Sequence, residues 1–331
     1  MKKDLLIYIL GFVISYLTLP QVVCYAFILS TILVLIGMPK FINYLNKVSI
    51  KQTEAEYTLE KKTGTPIMGG LFFILVAILV TFIFVPEKTN ITLWMLILGT
   101  VGFGLVGFLD DISIVLKHNN AGLKARTRLF LEAFIGLVMI VLLQVKNNFN
   151  FLPNASLFVW LIFIIFVLIM FMGATNAVNL TDGMDGLAAG VSMIAFIVYL
   201  IFVIQKAIPI IDIFCASMIG SLFAYLRYNH KPAKVFMGDT GSLALGGSLA
   251  TIALLTNTEA ALILIAGIPV LEALSVIIQI SSVKLFHRRV FPYTPIHYSF
   301  KIKGMKEVQI VYLFWIIEFL LAFIGLYLLI H

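Results

Sequence analysis

The sequence predicts an all-α polytopic membrane protein with about ten transmembrane helices. Of its 331 residues, 61% are apolar and only 12% are charged, and the mean hydropathy is +1.08. A water-soluble globule of this size would have too few polar side chains to cover its surface. Apolar stretches also recur along nearly the whole chain at lengths that cross a bilayer as helix. Lipid is therefore the expected solvent.

Ten apolar windows are long enough to cross about 30 Å of hydrocarbon as α-helix. We expect them to form one transmembrane domain over residues 21–331, with almost no soluble part. The windows lie near 21–43, 68–85, 92–109, 129–145, 156–173, 187–204, 210–226, 241–256, 260–280 and 308–330.

Residues 1–20 form a separate apolar N-terminal segment. The stretch from Asp4 to Leu19 is short and follows two lysines, as in a signal peptide. Because it lacks a small-x-small cleavage site, we expect a retained amphipathic or partly inserted segment. An eleventh helix is the alternative.

The distribution of lysine and arginine predicts the orientation. Eighteen of the 23 such residues lie in or beside the loops 44–67, 110–128, 227–240 and 284–306, whereas the opposite loops hold three. The positive-inside rule places the basic loops in the cytoplasm and the C-terminus outside. The net charge of +7 is spread over several loops, which fits membrane lipids and phosphates and argues against nucleic acid.

Five of the seven aspartates fall at the predicted cytoplasmic face, in loops or at helix ends. Carboxylates at a membrane helix end are costly if they face lipid, so a cluster of them indicates an aqueous cavity or a metal site. We therefore expect the active site in a cytoplasm-facing cleft. The five are Asp110, Asp111, Asp182, Asp185 and Asp239.

Two of these aspartates are adjacent at the end of the third predicted span. Adjacent helical residues point about 100° apart, so one of Asp110 and Asp111 can reach inward while the other binds its neighbours. For the pair alone, the alternative is an acidic helix terminus in contact with water.

The segment from Asn176 to Gly186 is a more specific motif. If it is helical, Asn176, Asn179 and Asp182 share one face, and Asp185 extends that face. The glycines allow close approach of the backbone to a ligand. The segment carries no lysine or arginine, which favours a binding site over a solvated polar turn.

Asp239 lies in a run of small residues at the start of a span, where it could simply cap the helix. Beside the other carboxylates we interpret it as a Mg²⁺ ligand, with Asp182 as a second candidate. Oxygen ligands without His or Cys suit Mg²⁺, which proteins hold by one or two carboxylates plus substrate phosphates. No P-loop motif is present, and no G-x-G-x-x-G stands before a predicted helix. The expected phosphate contacts are Lys61, Lys62, Lys117, Lys124, Arg126, Arg128, Arg288 and Arg289.

Three further ionisable residues have two interpretations each. Glu132 and Glu272 lie inside predicted spans and are functional candidates, although either could merely hydrogen-bond a neighbouring helix. His297 lies in a basic loop, where it is either ordinary surface or a substrate contact.

Six segments, in order along the chain, resemble the polyprenyl-phosphate N-acetylhexosamine-1-phosphate transferases, and most closely their phospho-N-acetylmuramoyl-pentapeptide transferase branch. The similarity covers nearly the whole chain after residue 20. The segments are Gly64–Gly70, the Asp110-Asp111 pair, Asn176–Leu187, Phe236–Gly247, Pro269–Gln279 and the region from Pro295 to Glu307.

The resemblance implies a Mg²⁺-dependent enzyme of the bacterial plasma membrane. Such an enzyme transfers phospho-MurNAc-pentapeptide from UDP-MurNAc-pentapeptide to undecaprenyl phosphate, giving lipid I and UMP in peptidoglycan synthesis. A homodimer is a further expectation. Chemistry of this kind needs charge neutralisation and positioning more than a covalent catalyst.

The family pattern also implies roles for individual residues. Asp239 would bind Mg²⁺, and Asp110 with Asp111 would handle the lipid phosphate, Asp110 as general base. Lys62 and His297 would approach the diphosphate and the sugar. The nucleotide site would be lined by Asn176, Asn179, Asp182, Gly183, Met184, Asp185, Asn229 and Phe236.

Three positions depart from the family pattern. The usual run of three histidines is His297-Tyr298-Ser299, Ile67 replaces a threonine, and Ile114 replaces a lysine. These changes leave the fold expectation intact, and leave open how Lys117 or Lys124 replaces the missing charge. Two alternatives remain: a transferase for UDP-GlcNAc, and a ten-helix transporter, which would usually bind its substrate near the bilayer midplane.

Overall fold

A computed structural model describes residues 21–48, 64–117, 122–148, 151–152 and 155–331. The N-terminal segment 1–20 and Lys62 lie outside these ranges, as does the side chain of Lys117. The twelve helices of the described residues are α1 Gln21–Lys47, α2 Gly69–Phe84, α3 Ile91–Lys117, α4 Ala125–Lys146, α5 Leu157–Thr181, α6 Leu187–Gln205, α7 Pro209–Asn229, α8 Gly238–Thr256, α9 Glu259–Ile265, α10 Gly267–Phe286, α11 Ile296–Ile302 and α12 Glu307–Ile330.

The hydropathy windows correspond closely to helices. Within the described part of the chain, eight helices are long and apolar enough to cross a membrane, namely α1, α3 to α7, α10 and α12. The shorter α2 and the glycine-rich α8 fall in two further windows. The prediction of an all-helical, multi-pass membrane protein is confirmed.

One predicted span is interrupted. The window 260–280 is divided into α9 and α10 at Ala266, whereas the sequence predicted one helix. Pro269 has no N–H to donate to Ile265, and its ring disfavours a continuous helix at this point. The carboxylate of Glu318, from α12, accepts a hydrogen bond from the Ile268 N–H at 2.6 Å and so stabilises the new helix start.

Helix α8 lies at the centre of the fold, and its residues from Thr240 to Leu255 are buried. Glycines let the neighbouring helices approach its backbone directly. A Cβ on Gly107 of α3 would overlap the backbone of Asp239, and one on Gly70 of α2 would overlap Gly241. Small residues at such crossings are typical of membrane helices. This packing fixes the start of α8, where Asp239 lies.

The segment before α2 also holds the start of α8. Gly69 and Gly70 donate their N–H groups to the carbonyls of Phe236 at 2.8 Å and Met237 at 3.0 Å, and the Phe236 N–H donates to Pro66 at 2.9 Å. The motif from Gly64 to Gly70 therefore holds the loop that precedes Asp239 through backbone hydrogen bonds, and we call this contact the backbone brace.

Candidate active site

Four helix ends come together at one end of the molecule. The last turns of α3 and α5 lie beside the first turns of α4 and α8, and all four contribute polar side chains. A helix start leaves backbone N–H groups without partners in the helix, so it favours negative charge. The carboxylates described next meet the starts of α4 and α8.

Asp111 caps α8 from a different helix. One of its carboxylate oxygens accepts the Asp239 N–H at 3.0 Å, and the other accepts the Thr240 N–H at 2.9 Å and the Thr240 hydroxyl at 2.6 Å. Asp239 therefore does not cap its own helix, which was the alternative to a ligand role.

Asp110 points away from its neighbour, as the 100° rotation predicts. Its carboxylate accepts the Leu123 N–H at 2.5 Å and lies close enough to the Asp239 carboxyl group to act on it electrostatically. The pair was predicted to end its span, which is wrong, because no glycine or proline lies between Asp111 and Lys117 and α3 continues to Lys117. The two aspartates thus lie on a rigid helical frame instead of a loop.

Asp239 is bound on both oxygens by side chains from other helices. Asn179 of α5 donates to one oxygen at 2.7 Å, and Arg128 of α4 donates to the other at 3.0 Å. The same Asn179 amide donates to the Ser242 hydroxyl at 3.0 Å. These contacts orient the Asp239 carboxylate towards the meeting point of the four helix ends.

Arg128 has two further partners. Its Nε donates to Glu132 at 3.1 Å, one turn along the same helix. Its Nη2 donates to the side-chain oxygen Oδ1 of Asn176 at 3.2 Å. The Asn176 amide in turn donates to the second Glu132 oxygen at 3.0 Å. The intramembrane Glu132 is fully buried and belongs to this network, so it does more than join two helices.

The end of α5 divides the second motif into two parts. Asn176 and Asn179 share the face towards Asp239, as predicted. The expectation that Asp185 extends this face is wrong, because the helix ends at Thr181 and Gly186 has a φ of 82°. The Asp185 carboxylate instead accepts the Ala233 N–H at 3.1 Å.

The turn from Asp182 to Gly186 is held by residues from three other segments. Asn229 accepts the Gly186 N–H at 3.1 Å, and donates to the carbonyl of Val235 at 3.0 Å. Glu307, at the start of α12, accepts the Asp185 N–H at 3.0 Å. Met184 is buried in the apolar cluster beneath the turn. Four of the eight predicted nucleotide-site residues thus lie in this turn, and a fifth, Asn229, is hydrogen-bonded to it.

Glu307 is a buried junction that the sequence alone did not single out. Besides the Asp185 N–H, its carboxylate meets the ammonium groups of Lys231 at 2.5 Å and Lys301 at 3.5 Å. It therefore joins the turn after α5, the loop after α7 and the short helix α11.

His297 is fully buried and is not ordinary loop surface. Its Nδ1 lies 2.9 Å from a carboxylate oxygen of Glu272, the second intramembrane acid, and its ring lies against Gly183. Tyr298 donates its hydroxyl to the Gly183 carbonyl at 3.2 Å, and burial raises the pKa of this hydroxyl to about 12. The pair His297 and Tyr298 supports the turn that contains Asp182.

Two further basic residues lie at the start of α4. Lys124 immediately precedes the helix and is exposed, as is Arg126 in the first turn. Both lie within a turn of Arg128, at the mouth of the site. Phe236 is half-buried and takes part through its backbone in the brace on α8.

Comparison with known proteins identifies the family. The family profile described as Glycosyl transferase family 4 matches residues 93–257. A phospho-N-acetylmuramoyl-pentapeptide-transferase from Geobacillus sp. is 40% identical over 320 residues, which cover 93% of this chain and 98% of the relative. Relatives of the same name from Staphylococcus epidermidis and Staphylococcus carnosus are also 40% identical, over 92% of this chain and 98% of their own length. The chain belongs to the phospho-N-acetylmuramoyl-pentapeptide-transferase family. It is a transferase, and this membership favours the enzyme over the transporter.

The donor groups at the centre of this transferase fit a Mg²⁺ ion. Among the described residues, no set of three or more His, Cys, Asp or Glu side chains is arranged to hold a metal by itself. The Asp239 carboxylate would bind the ion through an oxygen, and Mg²⁺ usually takes its remaining ligands from water and substrate phosphates. Asp182, the second predicted ligand, precedes Gly183 in the turn that Tyr298 supports, and its role as a ligand stays a prediction.

Proposed function

We propose that the protein transfers phospho-MurNAc-pentapeptide from UDP-MurNAc-pentapeptide to undecaprenyl phosphate, giving lipid I and UMP. The observation that carries the proposal is the 40% identity to phospho-N-acetylmuramoyl-pentapeptide-transferases over 98% of their length. The geometry supports it, because Asn179 and Arg128 bring polar groups for a phosphate-rich donor to Asp239, and the same helix α5 also lines an apolar cleft.

The turn from Asp182 to Gly186 is the proposed nucleotide site. Its backbone is fixed by Asn229 and Glu307, so its polar groups are pre-organised. A ligand bound there would extend towards Asn179 and Asp239, which follow along α5 and α8. On this path the diphosphate would lie at the carboxylates.

An apolar cleft of about 210 Å³ is the proposed site for part of the polyprenyl chain. It lies between α5 and the broken helix pair α9 and α10. Gly173 and Ala177 of α5 line it, so it reaches the residue next to Asn176. We propose that the phosphate end of the lipid lies towards Arg128, because Arg128 contacts Asn176, the neighbour of Ala177.

The chemistry follows from the charges at the meeting point of the helices. Asp110 is the proposed general base for the acceptor phosphate, and Asp239 the proposed Mg²⁺ ligand. The ion would neutralise charge on the transferred phosphoryl group. Arg128 and the helix starts of α4 and α8 add positive potential without a covalent catalyst. Asp111 would act through Asp239, because its oxygens are engaged by the start of α8.

The proposed orientation places this site in the cytoplasm and the C-terminus outside. Lys124 and Arg126 lie at the start of α4, beside the site, whereas Lys146 ends the same helix at the opposite face. The basic side of the molecule is the site side, in agreement with the positive-inside rule. Helix α12 begins at Glu307 beside the site and ends at Ile330 on the far side.

Release of UMP by the purified protein tests the proposal. With UDP-MurNAc-pentapeptide, we expect UMP only when both Mg²⁺ and undecaprenyl phosphate are present. Omission of each component in turn is the control. No UMP under any of these conditions would refute the proposed reaction. If UMP is released with UDP-GlcNAc as the donor and not with UDP-MurNAc-pentapeptide, the protein is instead a GlcNAc-1-phosphate transferase.

A further inference from the structure

We propose that Arg128 is a resident counter-cation of Asp239, which a divalent metal ion must displace, so that Arg128 sets the metal affinity of the site. This inference rests on the proposed metal-dependent function and adds a role for one residue of this chain. It concerns binding of the ion, and does not depend on turnover.

The first argument is the occupation of the Asp239 carboxylate. The guanidinium Nη1 lies 3.0 Å from one oxygen, and the Asn179 amide nitrogen lies 2.7 Å from the other. Mg²⁺ binds carboxylate oxygens at about 2.0–2.1 Å. An ion on the same oxygen as the guanidinium would bring two positive centres within roughly 4 Å, where they repel each other strongly outside bulk water. Metal and guanidinium therefore compete.

The second argument is that Arg128 keeps a partner when it leaves Asp239. Its Nε is bound to Glu132 at 3.1 Å, and Glu132 is fully buried and fixed from the other side by Asn176. A buried charge that lost its only partner would be costly. Because the Glu132 contact uses a different nitrogen, the guanidinium can give up Asp239 without becoming unpaired.

The third argument is that solvent, and therefore an ion, can reach the contact between Arg128 and Asp239. The side chains of Arg128 and Asp239 are 16% and 24% exposed, whereas Glu132 is not exposed at all. An ion from the aqueous side thus reaches the Arg128–Asp239 contact but not the Arg128–Glu132 contact. The exposed contact between Arg128 and Asp239 is the one that the metal ion replaces. The buried contact between Arg128 and Glu132 keeps the arginine in place.

The charge balance agrees with this exchange. Asp110, Asp111 and Asp239 influence one another electrostatically, and within the described part of the chain Arg128 is the basic side chain found to act on Asp239. Without a metal, the guanidinium offsets repulsion among these acids. With a metal bound, its remaining N–H donors are free to meet a phosphate, since guanidinium binds phosphate in the same forked geometry as carboxylate.

Binding of Mn²⁺, as a spectroscopic substitute for Mg²⁺, tests the proposal on the purified full-length protein without substrates. Free Mn²⁺ is followed by electron paramagnetic resonance. Removal of the competing cation in Arg128→Gln should tighten Mn²⁺ binding on the order of tenfold, because a hydrogen bond to a charged group no longer has to be broken. Arg128→Lys keeps the positive charge but lacks the forked guanidinium. Its affinity for Mn²⁺ should therefore lie between those of the unaltered protein and of Arg128→Gln.

Arg126→Gln is the matched control. It removes one positive charge from the same helix start, but the arginine is exposed and two residues away. It measures the general electrostatic effect, which should be about twofold or less because water and salt screen exposed charges. Asp239→Asn should abolish Mn²⁺ binding at this site, both alone and in combination with Arg128→Gln.

The outcomes separate the inference from the proposed function. Unchanged or weaker Mn²⁺ binding in Arg128→Gln, with normal thermal stability, overturns the exchange, as does an equal gain in Arg126→Gln. If those results accompany loss of binding in Asp239→Asn, the metal site stands and only the exchange fails. If Arg128→Gln is unfolded, Arg128→Lys decides: affinity no tighter than that of the unaltered protein overturns the exchange.

Discussion

Asp111 holds the backbone of Asp239, with its carboxylate oxygen 3.0 Å from the Asp239 N–H. Two aspartates that are 128 residues apart are thereby joined by a helix cap instead of a shared ligand. The cap comes from α3, so the position of Asp239 depends on the contact of α3 with α8 at Gly107. Adjacent aspartates on α3 consequently have different expected roles.

Asp111→Asn should lower both stability and turnover. Asparagine offers one acceptor oxygen where the native carboxylate offers two, so at least one contact to the start of α8 is lost. Loss of a helix cap costs about 0.5–2 kcal/mol. Thermal unfolding in detergent should show a lower melting temperature, and UMP release should fall with it. A variant with native stability would contradict the capping role.

Asp110→Asn should lower kcat while nucleotide binding is kept. The asparagine oxygen can still accept the Leu123 N–H, so the loop after α3 should stay in place. The group that would take a proton is gone. Steady-state kinetics, with nucleotide binding measured by calorimetry, check this. An effect on KM alone would make Asp110 a substrate contact, and the general-base role would be withdrawn.

Glu272→Ala should weaken nucleotide binding more than it slows turnover. It removes the acceptor for His297, whose ring supports Gly183 in the nucleotide turn. A buried donor without its partner costs about 1–3 kcal/mol. Glu272→Gln keeps an acceptor oxygen and should restore most of the affinity. Equal KM values for the Ala and Gln variants would show that the turn does not depend on this contact.

Glu318→Leu should destabilise the protein without altering the site. The Ile268 N–H would lose its acceptor at the break between α9 and α10, and hydrocarbon offers no replacement. We expect a loss of about 1–3 kcal/mol, and a smaller loss for Glu318→Gln, which keeps an acceptor. Thermal unfolding of both variants gives the comparison. If the leucine variant is as stable as the native protein, the helix start at Gly267 does not need this cap.

Hydropathy predicted the membrane helices well, because a bilayer-spanning helix leaves a long, local signal in the sequence. It did not predict the break at Ala266. A proline inside an apolar window also occurs in continuous, kinked spans, and the partner that stabilises the break, Glu318, lies about 50 residues away. The acid inside the last window was a signal that could have drawn attention to it.

The sequence predicted which residues belong to the candidate site better than it predicted the contacts among them. Asn176 and Asn179 share a face because helical periodicity is local, and that part is confirmed. The pairing of Arg128 with Asp239 spans 111 residues and depends on how α4 packs beside α8, which no single-sequence pattern encodes. The spacing of Arg128 and Glu132 at i, i+4 was a usable sign that this arginine is held in place. Catalytic and metal-binding roles of the individual residues stay predictions.

The mass of the lipid product tests the central claim most directly. Purified protein is incubated with undecaprenyl phosphate, Mg²⁺ and an equimolar mixture of UDP-MurNAc-pentapeptide and UDP-GlcNAc, and the lipid fraction is analysed by mass spectrometry. We predict undecaprenyl diphosphate carrying MurNAc-pentapeptide, with an equal amount of UMP. A product that carries GlcNAc, or unchanged undecaprenyl phosphate, would contradict the account.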